Sequence, residues 1–161
     1  MADVESKYLH GFHYPKETNF KKAVQVYYNM IVAHTKVVCF FKKKHPNKKI
    51  TIILNVTPTY PRSNNLKDQE AAKLKNMIFT YSQLDLILKG AYDENLKNFL
   101  LTNDLLPISN EKEIDYIKKS KIDYLSLNYY QPSRVKEKKH RRKVNCYLII
   151  FMIFMIDHWR E

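Results

Sequence analysis

The residues of this chain best suited to meet a ligand lie together in one stretch, Lys121-Ile122-Asp123-Tyr124-Leu125-Ser126-Leu127-Asn128-Tyr129-Tyr130-Gln131-Pro132. Its β-branched and aromatic residues favour an extended chain, and Pro132, which lacks a backbone N–H, ends the ladder. The strand therefore finishes in polar and aromatic groups. In a parallel α/β fold, groups at the carboxyl end of a strand project into the ligand crevice and not into the core. The same pattern also fits an ordinary strand whose tyrosines pack with their hydroxyls at the surface, and periodicity alone favours that plainer alternative.

Other reactive side chains are scattered. Cys39 and Cys146 have no close spacing to each other or to paired histidines, so no zinc motif or disulfide framework follows, and no cofactor or metal is expected. His34 falls near the apolar stripe of a helix and reads as a packed histidine. The formal charge of +12 comes from lysines spread among Asn, Ile and Tyr along the whole chain, not from one basic stripe. Most of it reads as solvated surface, and no specific nucleic-acid partner is expected. A length of 161 residues, 45% of them hydrophobic, suits one domain or part of a larger one with a core of its own. The amino terminus carries Asp3 and Glu5 and no apolar run, so it is not a secretory signal, and a cytoplasmic location is the default.

The elements that would position the Asn128 region follow from pattern. Met1 to Phe20, with Gly11, Pro15 and several aromatics, reads as a loop. Thr18 or Asn19 then caps a long helix whose apolar positions are Ala23, Val26, Tyr27, Met30, Ala33, Val37 and Phe40 or Phe41, with Lys42 to Lys44 at its carboxyl end and Pro46-Asn47 as its stop. Lys49 to Val56 is a β-branched run with little alternation, which suits a strand buried on both faces. It leaves through Thr57-Pro58-Thr59-Tyr60-Pro61-Arg62-Ser63-Asn64-Asn65, where the prolines and asparagines favour turns. Helix resumes from about Leu66 through Leu88 until Gly90 breaks it, Asp93 to Leu101 makes another short helix, and Ser109 or Asn110 caps Glu111 to Lys119. The order of helix, strand, helices and strand, without a hairpin signal, predicts an α/β fold with parallel pairing. With only two confident strands, the sheet is too small for an independent domain and reads as a slice of a larger one.

Several runs taken in order carry a resemblance. Tyr8-Leu9-His10-Gly11-Phe12-His13-Tyr14-Pro15, Ala23-Val24-Gln25-Val26, Ile53-Leu54-Asn55-Val56-Thr57-Pro58-Thr59-Tyr60-Pro61-Arg62-Ser63, Leu88-Lys89-Gly90 with Tyr92, and Asp123 through Pro132 resemble glycoside hydrolase family 1, in particular its bacterial 6-phospho-β-glucosidase branch. The resemblance runs from about Val4 to Val135, so residues 1–135 are expected to be a barrel fragment. It implies a partial (β/α)8 (TIM) barrel running from the exit of strand four to strand six. Gln83 stands where the family has an aromatic residue, and Leu86 where it has proline.

The resemblance also implies a function and its limits. Family members are retaining glycosidases that use two carboxylates about 5 Å apart. Their acid lies in an Asn-Glu-Pro motif just before the part matched by Met1 onward, and their nucleophile in a Glu-Asn-Gly motif beyond Tyr130. Neither motif is present, and Glu5 and Glu137 lie in no such context, so no catalytic residue is assigned. Asn128 and Tyr130 carry over as substrate-binding positions, the tyrosine also by hydrogen bonding to the family's nucleophile. The ligand implied is a β-glucoside or 6-phospho-β-glucoside, and complementary barrel fragments are the implied partners.

Beyond Val135 the resemblance stops, and residues 136–161 read as a basic then apolar tail. Lys136 to Lys143 is basic, and Cys146 to Ile156 is an apolar run of roughly eleven residues, short of the ~17 that a membrane span requires. A small basic protein that associates with membranes or partners through this tail is the rival class. A frameshift within a longer ancestral gene, with Met1 an internal methionine used as a start, is the expected origin of both ends.

Overall fold

The computed structural model describes residues 2–137, so the basic and apolar tail expectations fall outside the described residues. The order is α1 (Ala2–Tyr8), α2 (Phe20–Lys44), β1 (Thr51–Val56), β2 (Thr59–Pro61), α3 (Leu66–Lys75), a π-helical turn (Asn76–Tyr81), α4 (Ser82–Leu84), a second π-helical turn (Asp85–Lys89), α5 (Glu94–Thr102), α6 (Glu111–Lys119), β3 (Tyr124–Tyr129) and β4 (Ser133–Val135). β1 pairs with β3 in parallel, with Thr51 opposite Tyr124 and Val56 opposite Tyr129, and β2 pairs with β4 in parallel. The expected α/β order and parallel pairing are present.

Capping chemistry sets the helix starts. Asn19, not Thr18, caps α2, its side chain accepting from the Lys22 N–H at 2.9 Å. Asn110 caps α6 in a reciprocal capping box with Glu113. The helical run that begins at Leu66 ends at Gly90, whose φ of 77° is left-handed and whose missing Cβ would lie 3.1 Å from the Lys118 Cα of α6.

Four expectations need correction. The exit from β1, where the prolines were expected to leave only turns, holds the short strand β2, which ends at Pro61 and pairs with β4. Residues 2–8 form a helix where a loop was expected: Lys7 bonds Asp3 one turn back at 2.8 Å, and Val4 is buried against α2. The buried face of α2 is Ala23, Tyr27, Tyr28, Ile31, Val32, Thr35 and Val38, while Met30, Ala33, Val37 and Phe40 are exposed. The expected stripe advanced too few residues per turn and drifted round the helix, whereas the true one keeps close to the 3.6-residue period. Finally, β1 is buried on one face only. Leu54 and Val56 lie under the helices, and Thr51, Ile53 and Asn55 on the opposite face are exposed.

The core lies between that single covered face and the helices. Val4, Tyr27, Ile31, Leu54, Leu86, Ile87 and Ile117 form one buried cluster that joins α1, α2, β1, the second π turn and α6. Asp123 fastens the amino end of the sheet, since its carboxylate accepts from the Ile50 N–H at 2.7 Å and from the Lys42 ammonium of α2. The Lys42 hydrogen bond, aided by that of Ile50, holds the Asp123 carboxyl below the usual carboxylate range.

Candidate functional site

Parallel strands in register place same-face residues side by side, so the uncovered face of the β1–β3 sheet reads in layers. Thr51 lies beside Tyr124, Ile53 beside Ser126, and Asn55 beside Asn128 at the carboxyl ends. The asparagines are in contact: the Asn128 Nδ2 donates to the Asn55 Oδ1 at 3.1 Å. Tyr130 follows immediately after β3 and is 78% exposed. Asn128 and Tyr130 thus both stand at the carboxyl end of a parallel strand, on solvent-open ground.

The segments leaving β1 and β3 bind each other at this same end. The Ser133 N–H donates to the Pro58 carbonyl at 2.9 Å, the Arg62 N–H donates to the Val135 carbonyl at 2.8 Å, and the Thr59 and Ser133 hydroxyls lie 2.8 Å apart. The Asn76 carboxamide brackets the Thr59 peptide, accepting from its N–H at 2.9 Å and donating to its carbonyl at 2.7 Å. The first π turn begins at this asparagine.

Gln83 lies behind the site and is 1% exposed. The Tyr27 hydroxyl donates to its Oε1 at 3.0 Å, and its Nε2 donates to the Phe79 carbonyl at 3.3 Å and to the Asn55 carbonyl at 3.5 Å. Burial pushes the Tyr27 phenol well above its ordinary range, so it stays protonated and remains a donor. The Gln83 amide is thereby satisfied, as a buried amide must be. With no proline at Leu86, the helical run continues through the second π turn, and Ser82, Gln83, Asp85, Leu86 and Ile87 are all buried.

Among the described residues, Glu137 and Glu5 are both engaged away from Asn128. Glu137 pairs with Lys67 at 3.0 Å, and its backbone N–H donates to Asp68 at 2.8 Å. Glu5 is half-buried beside a small apolar cavity of about 30 Å³, lined also by Val4, Phe20, Tyr27, Phe79 and Leu96. Burial raises the Glu5 carboxyl above its ordinary range, countered in part by Lys75. That cavity has room for roughly one water and lies among the helices, so it is no sugar site. Among the described residues, no group of three or more His, Cys, Asp or Glu could hold a metal ion, and no helix is long and apolar enough to cross a membrane.

Sequence comparison decides the family. The profile described as glycosyl hydrolase family 1 matches residues 1–147. The chain belongs to that family. It is 39% identical over 140 residues to the 6-phospho-beta-glucosidase GmuD of Bacillus subtilis (strain 168), a match that covers 87% of this chain and 30% of that protein. It is 31% identical over 144 residues to a 6-phospho-beta-galactosidase of Clostridium acetobutylicum, covering 84% of this chain and 30% of the relative. Among solved structures, virulence factor SghA from Agrobacterium tumefaciens superposes with a TM-score of 0.74 at 26% identity, covering 86% of this chain and 30% of that one. The Thermotoga maritima family 1 glycoside hydrolase, complexed with a cyclophellitol analogue transition state mimic, gives 0.70 at 27% identity, covering 83% and 30%. This family 1 chain thus spans about 30% of the length of the curated relatives it matches. Its fold is part of a (β/α)8 barrel, with β1 and β3 as two of the barrel strands and the Asn55–Asn128 face turned to the barrel interior.

The sequence put Asn128 and Tyr130 forward through the family resemblance and gave Asn55 and Gln83 no role. The signal for Asn55 was its place at the end of a β-branched run. Its partner becomes visible only when the register sets it beside Asn128.

Proposed function

We propose that this chain is the sector of a family 1 barrel that supplies one wall of the sugar subsite, through Asn128 and Tyr130. The ligand class is a β-glucoside or a 6-phospho-β-glucoside, and hydrolysis requires the remaining barrel sectors. The carrying observation is the position of Asn128 at the carboxyl end of a parallel barrel strand, on the uncovered inner face and in contact with Asn55. The 39% identity to a 6-phospho-beta-glucosidase supports the phosphorylated branch.

The chain by itself is a non-hydrolysing partner. Retaining hydrolysis needs an acid and a nucleophile held about 5 Å apart, and the Asn-Glu-Pro and Glu-Asn-Gly motifs that hold them in the family are not in this sequence. The test incubates the purified full chain with an aryl 6-phospho-β-glucoside, alone and with fragments carrying the remaining barrel strands. Expected are release at the level of a buffer blank for the chain alone and, on mixing, a gain that Asn128→Ala removes. Turnover by the chain alone that one of its own substitutions abolishes would overturn the reading.

A further inference from the structure

A single exposed asparagine on a strand can turn its carboxamide freely, offering a ligand either oxygen or nitrogen. Asn128 is not in that position. Its Nδ2 donates to the Asn55 Oδ1 at 3.1 Å across the β1–β3 ladder, where the two residues are register partners. That bond commits a hydrogen of Asn128 and the oxygen of Asn55. Left open are the Asn128 Oδ1, an acceptor with the second Nδ2 hydrogen beside it, and the Asn55 Nδ2, a donor. Were both amides reversed, the pair would again leave one acceptor and one donor, on exchanged residues.

Asn55 is itself held from behind. Its carbonyl accepts from the Gln83 Nε2 at 3.5 Å, Gln83 is 1% exposed, and the Tyr27 hydroxyl anchors its oxygen at 3.0 Å. A relay therefore runs from α2 through the helical run to β1, and then across the ladder to β3. Side chains on neighbouring parallel strands stand about 5 Å apart. The open acceptor and donor flank a hydrogen bond of 3.1 Å, so they lie close enough together to meet two adjacent hydroxyls of a pyranose ring, each of which can donate and accept.

We infer that Asn55 is a positioning residue for Asn128, and that the locked amide pair is a vicinal-diol contact facing the barrel interior. The inference rests on the assignment of Asn128 to the sugar subsite. Its own content is that Asn55 sets which atom Asn128 presents and adds a donor beside it.

Side-chain amide NMR of the full chain, with Asn55→Leu and Asn55→Asp variants, tests this. Both positions are exposed in the structure, so the variants keep the fold. Without sugar, the bonded Asn128 amide proton is expected to lie downfield of its free-asparagine position in the parent and in Asn55→Asp, which keeps the acceptor, and to return toward that position in Asn55→Leu. An Asn128 signal unchanged in Asn55→Leu overturns the positioning role. Methyl β-D-glucopyranoside is then added up to its solubility limit. The parent is expected to shift at both amides, and Asn55→Asp, having lost the donor, to need about 3- to 10-fold more glucoside for the same Asn128 response. An equal response in Asn55→Asp overturns the diol contact. No sugar response at Asn128 or Tyr130 in the parent overturns the sugar-subsite assignment itself, and the sugar-free spectra separate that failure from failure of the positioning role.

Discussion

Alternate residues of β1 meet two different surroundings. Leu54 and Val56 are each 8% exposed beneath the helices, whereas Ile53 between them is 63% exposed on the barrel-interior face. On β3, Ser126 and Asn128 share the interior face with Ile53 and Asn55, while Leu127 and Tyr129, beside Leu54 and Val56, are 53% and 57% exposed. The helix-facing layer is covered within this chain along β1 and at Leu125, because α1, α2, α6 and the second π turn all contribute to its cluster, but it is left open at Leu127 and Tyr129. The interior layer supplies polar groups and receives no cover from the described residues. Packing and open polar surface are thus divided between the two faces of one two-stranded sheet.

The largest expected difference between the faces comes from truncating neighbours. Leu54→Ala, which empties space under the helices, is expected to lower stability by about 2–4 kcal/mol in urea unfolding. Ile53→Ala, one residue away, should fall within about 0.5 kcal/mol of the parent. Equal losses would erase the distinction between the faces.

A smaller effect probes the link between them. Gln83→Leu leaves the Tyr27 hydroxyl buried without its acceptor, and a loss of about 1–3 kcal/mol is expected. Tyr27→Phe added to Gln83→Leu should recover most of it. A double variant no more stable than the single one would show that packing, and not the hydrogen bond, holds the relay.

Acidity offers a third handle on the covered side. Burial pushes the His34 imidazole below its ordinary value of 6.5, and its Nε2 is buried without a partner. Between the folded and unfolded titrations the unfolded chain binds more protons. Stability from this group is therefore present above pH 6.5 and is lost as pH falls through that window. Denaturation midpoints measured across this range should fall on acidification in the parent and less steeply in His34→Phe. The smallest change belongs to the interior face, where Asn128→Ala is expected to move stability by no more than about 0.5 kcal/mol while removing the amide contact.

How much of this was legible depends on whether neighbours in sequence or neighbours in space set the feature. The break at Gly90 and the extended runs of β1 and β3 are local chemistry and could be read directly, and the caps at Asn19 and Asn110 were narrowed to two neighbouring residues each. The rotation of the buried stripe on α2 could not, because it depends on where α6 and the second π turn press against it. Helix α1 was missed because it is short and held by Val4 packing against α2. β2 and β4 have three residues each and pair across 74 positions, between hydroxyls that no pattern links. Asn128 was put forward through a family motif. The partnership with Asn55 required the register.

The ladder that creates this partnership also constrains how the chain acquires its shape. Asn55 and Asn128 are 73 residues apart, and closing a loop of that length costs on the order of 4 kcal/mol in chain entropy before any strand contact compensates it. During synthesis β1 is therefore complete long before β3 exists, and the run Thr-Ile-Ile-Leu-Asn-Val waits with both edges unpaired. A short, uncharged, β-branched segment in that state is a template for pairing between chains. The interval between making β1 and making β3 is thus the period of greatest risk of misassembly, and faster completion of the helices between them shortens it.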